Sequence, residues 1–256
     1  MSPGSPSTPD PTPAEGAAVI LHTADFHNRL APAAARQLAR LKHDHPGAVL
    51  LDAGDAVAAG NLTFRLAGEP ILRRMAAIGY DAMAMGNRES HPSRRFLERK
   101  LRDASFPILA ANLVPKRQPR PPIVQDCVIL DRPPGRLAVI GLAPQITSPR
   151  SVWARVTDYV FEDPIPVAQR LAAELRDQAD LVICLSHCGA DTDHRLAALP
   201  EIDLVLGGHT HRHLVSRQTG GALVVHPGSR GSHVACTHLT CRDDARSVLL
   251  PLEAGL

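Results

Sequence analysis

Residues 202–211 read Ile202-Asp203-Leu204-Val205-Leu206-Gly207-Gly208-His209-Thr210-His211. An apolar run leads straight into a glycine pair, and two histidines follow on alternate positions. The run predicts a buried strand over residues 202–206 that stops at a sheet edge, where the glycines let the backbone turn tightly. Two imidazoles are then offered at one point, as in half of a metal clamp. Such a clamp needs partners that converge from other strand ends.

The chain supplies those partners upstream. The apolar run 18–23 ends in Thr23-Ala24-Asp25-Phe26-His27, which presents a carboxylate and an imidazole two residues apart. The run 48–52 ends in Asp52-Ala53-Gly54-Asp55, and the run 82–85 in Gly86-Asn87-Arg88-Glu89. The run 181–186 delivers His187. Asp25, His27, Asp55, Asn87, His187, His209 and His211 are thus seven nitrogen or oxygen ligands, each just past an apolar run. Open α/β sheets build their sites at that edge. Singly, Asp-x-His or Gly-Asn is ordinary turn chemistry. The ordered set is not.

Between these strands, apolar positions at three-to-four spacing predict helices over residues 32–42, 69–78, 94–102 and 166–178. Strand and helix alternate, which implies a layered α/β fold. The later runs 123–130, 137–142, 214–216, 222–226, 234–239 and 248–252 lack long intervening helices, so antiparallel or mixed pairing is expected there. The predicted architecture is an α/β (α+β) sandwich of two mixed sheets packed face to face and flanked by helices. Its metal site lies at the carboxyl ends of the strands.

Composition narrows the function. The 256 residues carry 28 basic and 26 acidic side chains, well interspersed, for a net charge of +2. That balance gives neither a basic groove for nucleic acid nor a patch for an anionic membrane, and a small-molecule partner is expected. Residues 1–16 hold five prolines with Ser, Thr and Gly and read as a disordered tail, with one domain over 17–256. There is no signal-peptide pattern and no run approaching the roughly 20 apolar residues that span a bilayer, so a cytoplasmic protein is expected. Five scattered cysteines suit reduced core thiols better than a disulfide framework. Cys184 and Cys188 bracket His187, yet Cys184 lies inside an apolar run and fits the core, which argues against a zinc site there. The remaining histidines, among them His43, His45, His194, His226 and His238, read as structural or exposed. His213 follows the clamp closely enough to contact substrate.

The ligand set resembles the calcineurin-like metallophosphoesterases, and within them the amino-terminal catalytic domain of 5'-nucleotidases. The resemblance spans roughly residues 19–238. It extends to Gly68-Glu69-Pro70, Gly79-Tyr80-Asp81-Ala82, Phe106-Pro107-Ile108-Leu109-Ala110-Ala111-Asn112 and Ser186-His187-Cys188-Gly189. It implies a metal-dependent phosphoesterase acting on a small phosphate monoester, diester or nucleotide. By the same resemblance Asp25, His27 and His211 would hold one divalent ion and Asn87, His187 and His209 a second, with Asp55 bridging them. Two ions roughly 3.5–4 Å apart clamp the attacking and leaving oxygens of an in-line displacement and acidify a shared water. Carboxylate, amide and imidazole without thiolate suit Mn, Zn, Fe or Co.

The chain departs from that pattern beside its asparagine ligand. Relatives carry Gly-Asn-His-Glu, in which the histidine supports the transition state or protonates the leaving oxygen; here the residue is Arg88. Arginine is no acid near neutrality, its pKa exceeding roughly 12, but its guanidinium can hold phosphoryl charge bidentately. The aspartate three residues further on in relatives is His91 here. Arg88 and His91 are the candidate catalytic residues: Arg88 as a phosphoryl clamp, with the leaving oxygen protonated by water or by His91. The competing reading of His91 is an ordinary exposed residue before Pro92. Relatives also place a nucleoside-binding domain after this one, whereas the chain ends at Leu256, and no second domain is expected. The alternative to an enzyme is a non-catalytic metal-binding scaffold of the same fold.

Overall fold

Aliphatic runs of three to eight residues, bounded by polar turns, are long enough for strands and too short for stable helices. The computed structural model describes residues 16–254, so the expected tail lies outside them apart from Gly16. The first half runs β1 (Ala18–Thr23), α1 (Pro32–Asp44), β2 (Val49–Asp52), α2 (Pro70–Ile78), β3 (Ala82–Ala84), α3 (Arg94–Leu101), β4 (Ile108–Leu109), β5 (Leu113–Pro115) and β6 (Val124–Gln125). The second half runs β7 (Cys127–Arg132), β8 (Gly135–Leu142), β9 (Tyr159–Phe161), α4 (Pro164–Arg176), β10 (Leu181–Ser186), α5 (Ala190–Ala197), β11 (Leu204–Gly207), β12 (His213–Arg217), β13 (Leu223–Pro227), β14 (His233–Leu239) and β15 (Arg246–Pro251).

One sheet has the order β15-β14-β1-β2-β3-β4-β6 and the other β12-β13-β11-β10-β8-β7, with β5 and β9 forming a separate ribbon. Both large sheets are mixed. β1 to β4 and β6 run parallel, β14 is antiparallel to β1, and β15 is antiparallel to β14. In the other sheet β8, β10, β11 and β13 are parallel, and antiparallel β7 and β12 close its edges.

Successive strand residues point to opposite faces, and the core follows that rule. Ile20 of β1 packs in one cluster with Ile183 and Leu206 of the facing sheet, which fills the space between the sheets. Leu21 faces the other way, into a cluster with Leu38 of α1, Met75 of α2 and Leu97 of α3. Val182 and Cys184 of β10 pack outward against Leu171 of α4 and Leu196 of α5. The layers are therefore helix, sheet, sheet, helix, as expected. Each fully buried Leu or Ile contributes roughly 1.5–3 kcal/mol, so these three clusters set the fold. Among the described residues no helix is long and apolar enough to cross a membrane.

The differences from the sequence reading have local causes. β11 starts at Leu204 because the buried Asp203 carboxylate turns back to accept the Val182 N–H at 2.8 Å and pair with Arg176. α5 has no predicted range of its own; it begins after Gly189 at φ 85° and carries Asp191 and Asp193 in its first turn, where they complement the helix dipole. The thiols are all free, but Cys241 is exposed rather than in the core.

His22 lies on β1, on the same side as Ile20, wholly buried and with neither ring nitrogen hydrogen-bonded. Burial, and secondarily His226, pushes its pKa down to about 3. An unfolded chain protonates this imidazole near pH 6.5, so its contribution is present above that pH and is lost as pH falls toward 3. The linkage amounts to about 2 kcal/mol between pH 7 and pH 5. Urea unfolding of His22→Leu should show a pH dependence flatter by that amount; an unchanged difference between the two pH values would place acid sensitivity in other groups.

Candidate metal centre

The carboxyl ends of β1, β2 and β3 in one sheet and of β10 and β11 in the other meet at one edge. Their loops are laced together by backbone bonds: Asp25 N–H to Gly54 O and His27 N–H to Asp55 O at 2.9 Å, and Arg230 N–H to Asp25 O at 2.8 Å. Gly54 has φ 97°, and a Cβ there would lie 2.6 Å from the Gly86 nitrogen. Glycine is needed at this close approach of the second and third loops.

The structure gathers five of the seven predicted ligands into two groups whose ligand atoms lie within 4.8 Å of one another: Asp25, His27 and His211, and Asp25, Asp55 and His187. Asp25 is common to both groups, whereas Asp55, the bridge implied by the resemblance, joins one. Asp25 Oδ1 lies 3.3 Å from His211 Nε2, 3.7 Å from His27 Nε2 and 3.9 Å from His187 Nε2. His187 Nε2 is 3.5 Å from Asp55 Oδ1. His209 flanks this set, its ring edge-to-face on His187 with centroids 5.0 Å apart and its backbone N–H on Asp25 Oδ2 at 2.8 Å. Asn87 is held in the third loop, where its neighbour's N–H reaches Asp55 Oδ1 at 2.8 Å.

These residues suit a cation. Asp25 Oδ1, Asn87 Oδ1 and His187 Nε2 are buried without a hydrogen-bond partner, and buried acceptors without donors are costly unless a cation completes them. His187 Nδ1 lies 2.6 Å from the Ala53 carbonyl. That oxygen only accepts, so Nδ1 carries hydrogen and Nε2 faces the carboxylates, the arrangement of a metal-ligating histidine. Burial would lower the His187 pKa, but the carboxylate of Asp55, 3.5 Å from Nε2, and those of Asp25 and Glu89 overcome it and push it up to about 9. Burial also pushes Asp25 up against its histidine neighbours, while at Asp55 burial is outweighed by His187, the Arg88 N–H and His27 acting together, which hold it low. Burial lowers His27 to about 4, and it lowers His209. The pocket thus draws positive charge, a proton or a metal ion, to its floor at His187, while burial disfavours the charged form of His27 and His209. Asp25 and His187 are wholly buried there, while the His211 side chain is 42% exposed, which leaves the centre open on one side.

Backbone strain concentrates on the same residues. Seven non-glycine residues among those described have positive φ, and five of them are predicted ligands: Asp25 at 54°, His27 at 48°, Asp55 at 57°, His209 at 74° and His211 at 57°. Each left-handed residue costs of order 1 kcal/mol or more, and such strain persists where the surroundings over-determine it.

Two supports escape sequence reasoning. Glu89, fully buried, accepts the N–H groups of Gly86, Asp55, Ala56 and Val57 at 2.9–3.1 Å and so clasps the second loop to the third. Its signal was its place in Gly-Asn-Arg-Glu. Asp193 accepts from Ser186 Oγ at 2.6 Å and lies 2.8 Å from His226 Nε2, while His226 Nδ1 is 3.3 Å from Thr210 Oγ1. This chain of contacts seats Thr210 between His209 and His211, and no spacing in the sequence announces it.

Arg88 stays at the centre. Its Nε is 3.8 Å from Asp55 Oδ2 and its Nη1 donates to the Ala58 carbonyl at 3.0 Å. His91 is not the exposed residue one reading allowed: it is 91% buried, edge-on to the stacked rings of Phe64 and Phe96. Its Nδ1 accepts the Ser93 N–H at 3.0 Å, and it also bonds the Leu62 backbone. Burial, then Lys100, lowers its pKa. Cys184 is core, and Cys188 Sγ contacts the Ala143 carbonyl at 3.3 Å; neither belongs to a metal group. His213 packs on His233, with centroids 4.3 Å apart.

Residues 18–213 match the family described as calcineurin-like phosphoesterase. The chain belongs to that family. As a calcineurin-like phosphoesterase it is 32% identical over 219 residues to a Vibrio cholerae 5'-nucleotidase, covering 75% of this chain and 39% of that one. It is 30% identical over 245 residues to the Bacillus subtilis trifunctional nucleotide phosphoesterase protein YfkN, covering 80% of this chain and 16% of that one. The chain therefore spans about two-fifths or less of these relatives' length. Its fold is that of the 5'-nucleotidase precursor from Thermus thermophilus, with a TM-score of 0.77 at 23% identity over 92% of this chain and 54% of that one.

Metal binding to the folded state alone raises stability, by about 2.7 kcal/mol at a hundredfold excess over Kd. Mn²⁺ or Zn²⁺ should raise the melting temperature of metal-stripped protein, and Asp25→Asn should abolish the rise. Glu89→Gln should cost about 2–3 kcal/mol in urea unfolding, because an amide cannot replace a carboxylate that accepts four N–H groups. A loss under about 0.5 kcal/mol would show that the clasp is incidental.

Proposed function

We propose that this calcineurin-like phosphoesterase hydrolyses a small phosphate ester at the edge where Asp25, Asp55 and His187 meet. The carrying observation is the set of buried, unpartnered acceptors, Asp25 Oδ1, Asn87 Oδ1 and His187 Nε2, beside a guanidinium. Asp25, His27 and His211 would hold one divalent ion, and Asp55, Asn87, His187 and His209 a second, of the Mn, Zn, Fe or Co class. When bound, such ions neutralise phosphoryl charge and lower the pKa of a water toward neutrality.

This chain's own residues do the rest. Arg88, tethered at Ala58 and facing Asp55, keeps its charge and offers planar donors to phosphoryl oxygens as their charge rises. It cannot surrender a proton. His91 is committed to the Ser93 and Leu62 backbone, so the proton for the leaving oxygen comes from water. The names of the relatives support nucleotides among the substrates. A docking scaffold would have no need of five strained ligands.

General acid catalysis contributes typically 10²–10⁴-fold. Wild-type rates should therefore depend steeply on leaving-group pKa, with aryl phosphates or anhydrides turned over about 100-fold faster than alkyl or nucleoside monophosphates. Arg88→His should flatten that dependence. Equal rates for p-nitrophenyl phosphate and AMP in the wild type, unmoved by the substitution, would refute the leaving-group argument. Activity that survives Asp55→Asn would refute the metal mechanism.

A further inference from the structure

A cleft of about 400 Å³ opens beside the metal centre, lined by Leu62, His91, Trp153, Val156, Tyr159 and Phe161 among others. Its size is that of a small-ligand site. Two of its walls are the loops that hold Arg88. Arg88 Nη1 donates to the Ala58 carbonyl, three residues before the lining residue Asn61, and Ser90, also lining, is two residues after Arg88. Chain reach puts the cleft edge within about 10 Å of Arg88 along either wall. The fully buried Lys100 ties the walls together, its Nζ donating to the carbonyls of Gly60, Arg88 and Ser90 at 2.8–2.9 Å.

The contents of the cleft are unusual for this chain. Only eight of its residues are Phe, Tyr or Trp, because the core is aliphatic, yet Trp153, Tyr159 and Phe161 all line this one place. Six large hydrophobic residues are exposed among those described, and three of them, Leu62, Trp153 and Val156, also line it. Trp153, the only tryptophan, is 69% exposed. Exposed apolar surface gathered at one place marks a binding region. Tyr159 supplies the polar element: it is 98% buried, and its hydroxyl has no hydrogen-bond partner. A buried tyrosine hydroxyl normally has one.

Resting on the phosphoesterase reading, we propose that this cleft receives the leaving-group half of the ester, a flat aromatic ring with a hydrogen-bonding edge. The ring stacks on Trp153 and its polar edge satisfies Tyr159 Oη, while the phosphoryl group lies toward Arg88. The chain thereby carries its own selectivity for the organic half of its substrate. A nucleobase and a phenol share the required chemistry.

Because Trp153 is the sole tryptophan, its fluorescence reports on the cleft independently of turnover. Titration of the full chain with adenosine and with phenol, neither carrying phosphate, should give a saturable change with at least one, and glycerol should give none. The responding ring identifies the source. Leu62→Asp, at an exposed position, should weaken the response at least roughly fivefold. In kinetics, Trp153→Ala and Tyr159→Phe should each raise the ratio of KM for an aromatic ester to KM for glycerol phosphate by roughly tenfold. Saturable ring binding in a protein that hydrolyses no ester with any metal would uphold the cleft and remove the phosphoesterase reading. No saturable change with either ring, an equal change with glycerol, or a change that tracks only protein concentration would overturn the proposal; the last would mean that a second copy covers the patch.

Discussion

Asp25 places a carboxylate with no exposed surface at the line where two sheets end. A buried carboxylate is tolerated only where donors or cations surround it. The surroundings here come from both sheets: His27 from its own loop, Gly54 and Asp55 from the loop after β2, His187 from β10, and His209 and His211 from the end of β11. Shifting one sheet against the other would strip Asp25 of its partners at once. The inter-sheet core of Ile20, Ile183 and Leu206 therefore does more than exclude water. It fixes the register of the two halves of the centre.

The strained loops depend on that register. Left-handed backbone at Asp25, His27, Asp55, His209 and His211 turns each side chain off its strand direction and into the shared space. A loop alone would relax out of such a conformation. It is held by side chains farther out, Glu89 under the second and third loops and the chain of contacts from Asp193 through His226 to Thr210 under the last. Rigidity is supplied from beneath, and Asp25 Oδ1, Asn87 Oδ1 and His187 Nε2 keep no hydrogen-bond partner.

The same division explains what a reader of the sequence could find. The residues that gather at the candidate centre were legible because each follows an apolar run directly, so strand periodicity and ligand chemistry coincide in one short window. The sandwich was legible because parallel strands buried on both faces read as continuous aliphatic segments. The short strands β4, β5 and β9 have too few residues for periodicity to register. His91 was open to misreading because its burial comes from Phe64 and Phe96, and neither aromatic stands beside it in the chain. The Asp193 and His226 pair joins a helix to a strand across 33 residues with no motif between them. What is local at the site was thus legible, and what holds it from a distance was not.

Arg88 shows that holding the site and running its chemistry are separable. The contact that orients Asp55 comes from the Arg88 backbone N–H, at 2.8 Å from Oδ1, and every residue except proline carries that group. The Arg88 carbonyl, in turn, anchors Lys100. Neither contact depends on the side chain. A change of residue at 88 therefore alters the charge and the proton inventory offered at this edge while Asp55, Glu89 and Lys100 keep the loop in place. That is how a centre with strained backbone at five of its seven candidate ligands keeps its geometry whatever the side chain at 88: backbone contacts fix the loop, and under the proposed function the side chain is free to set which leaving groups the site can serve.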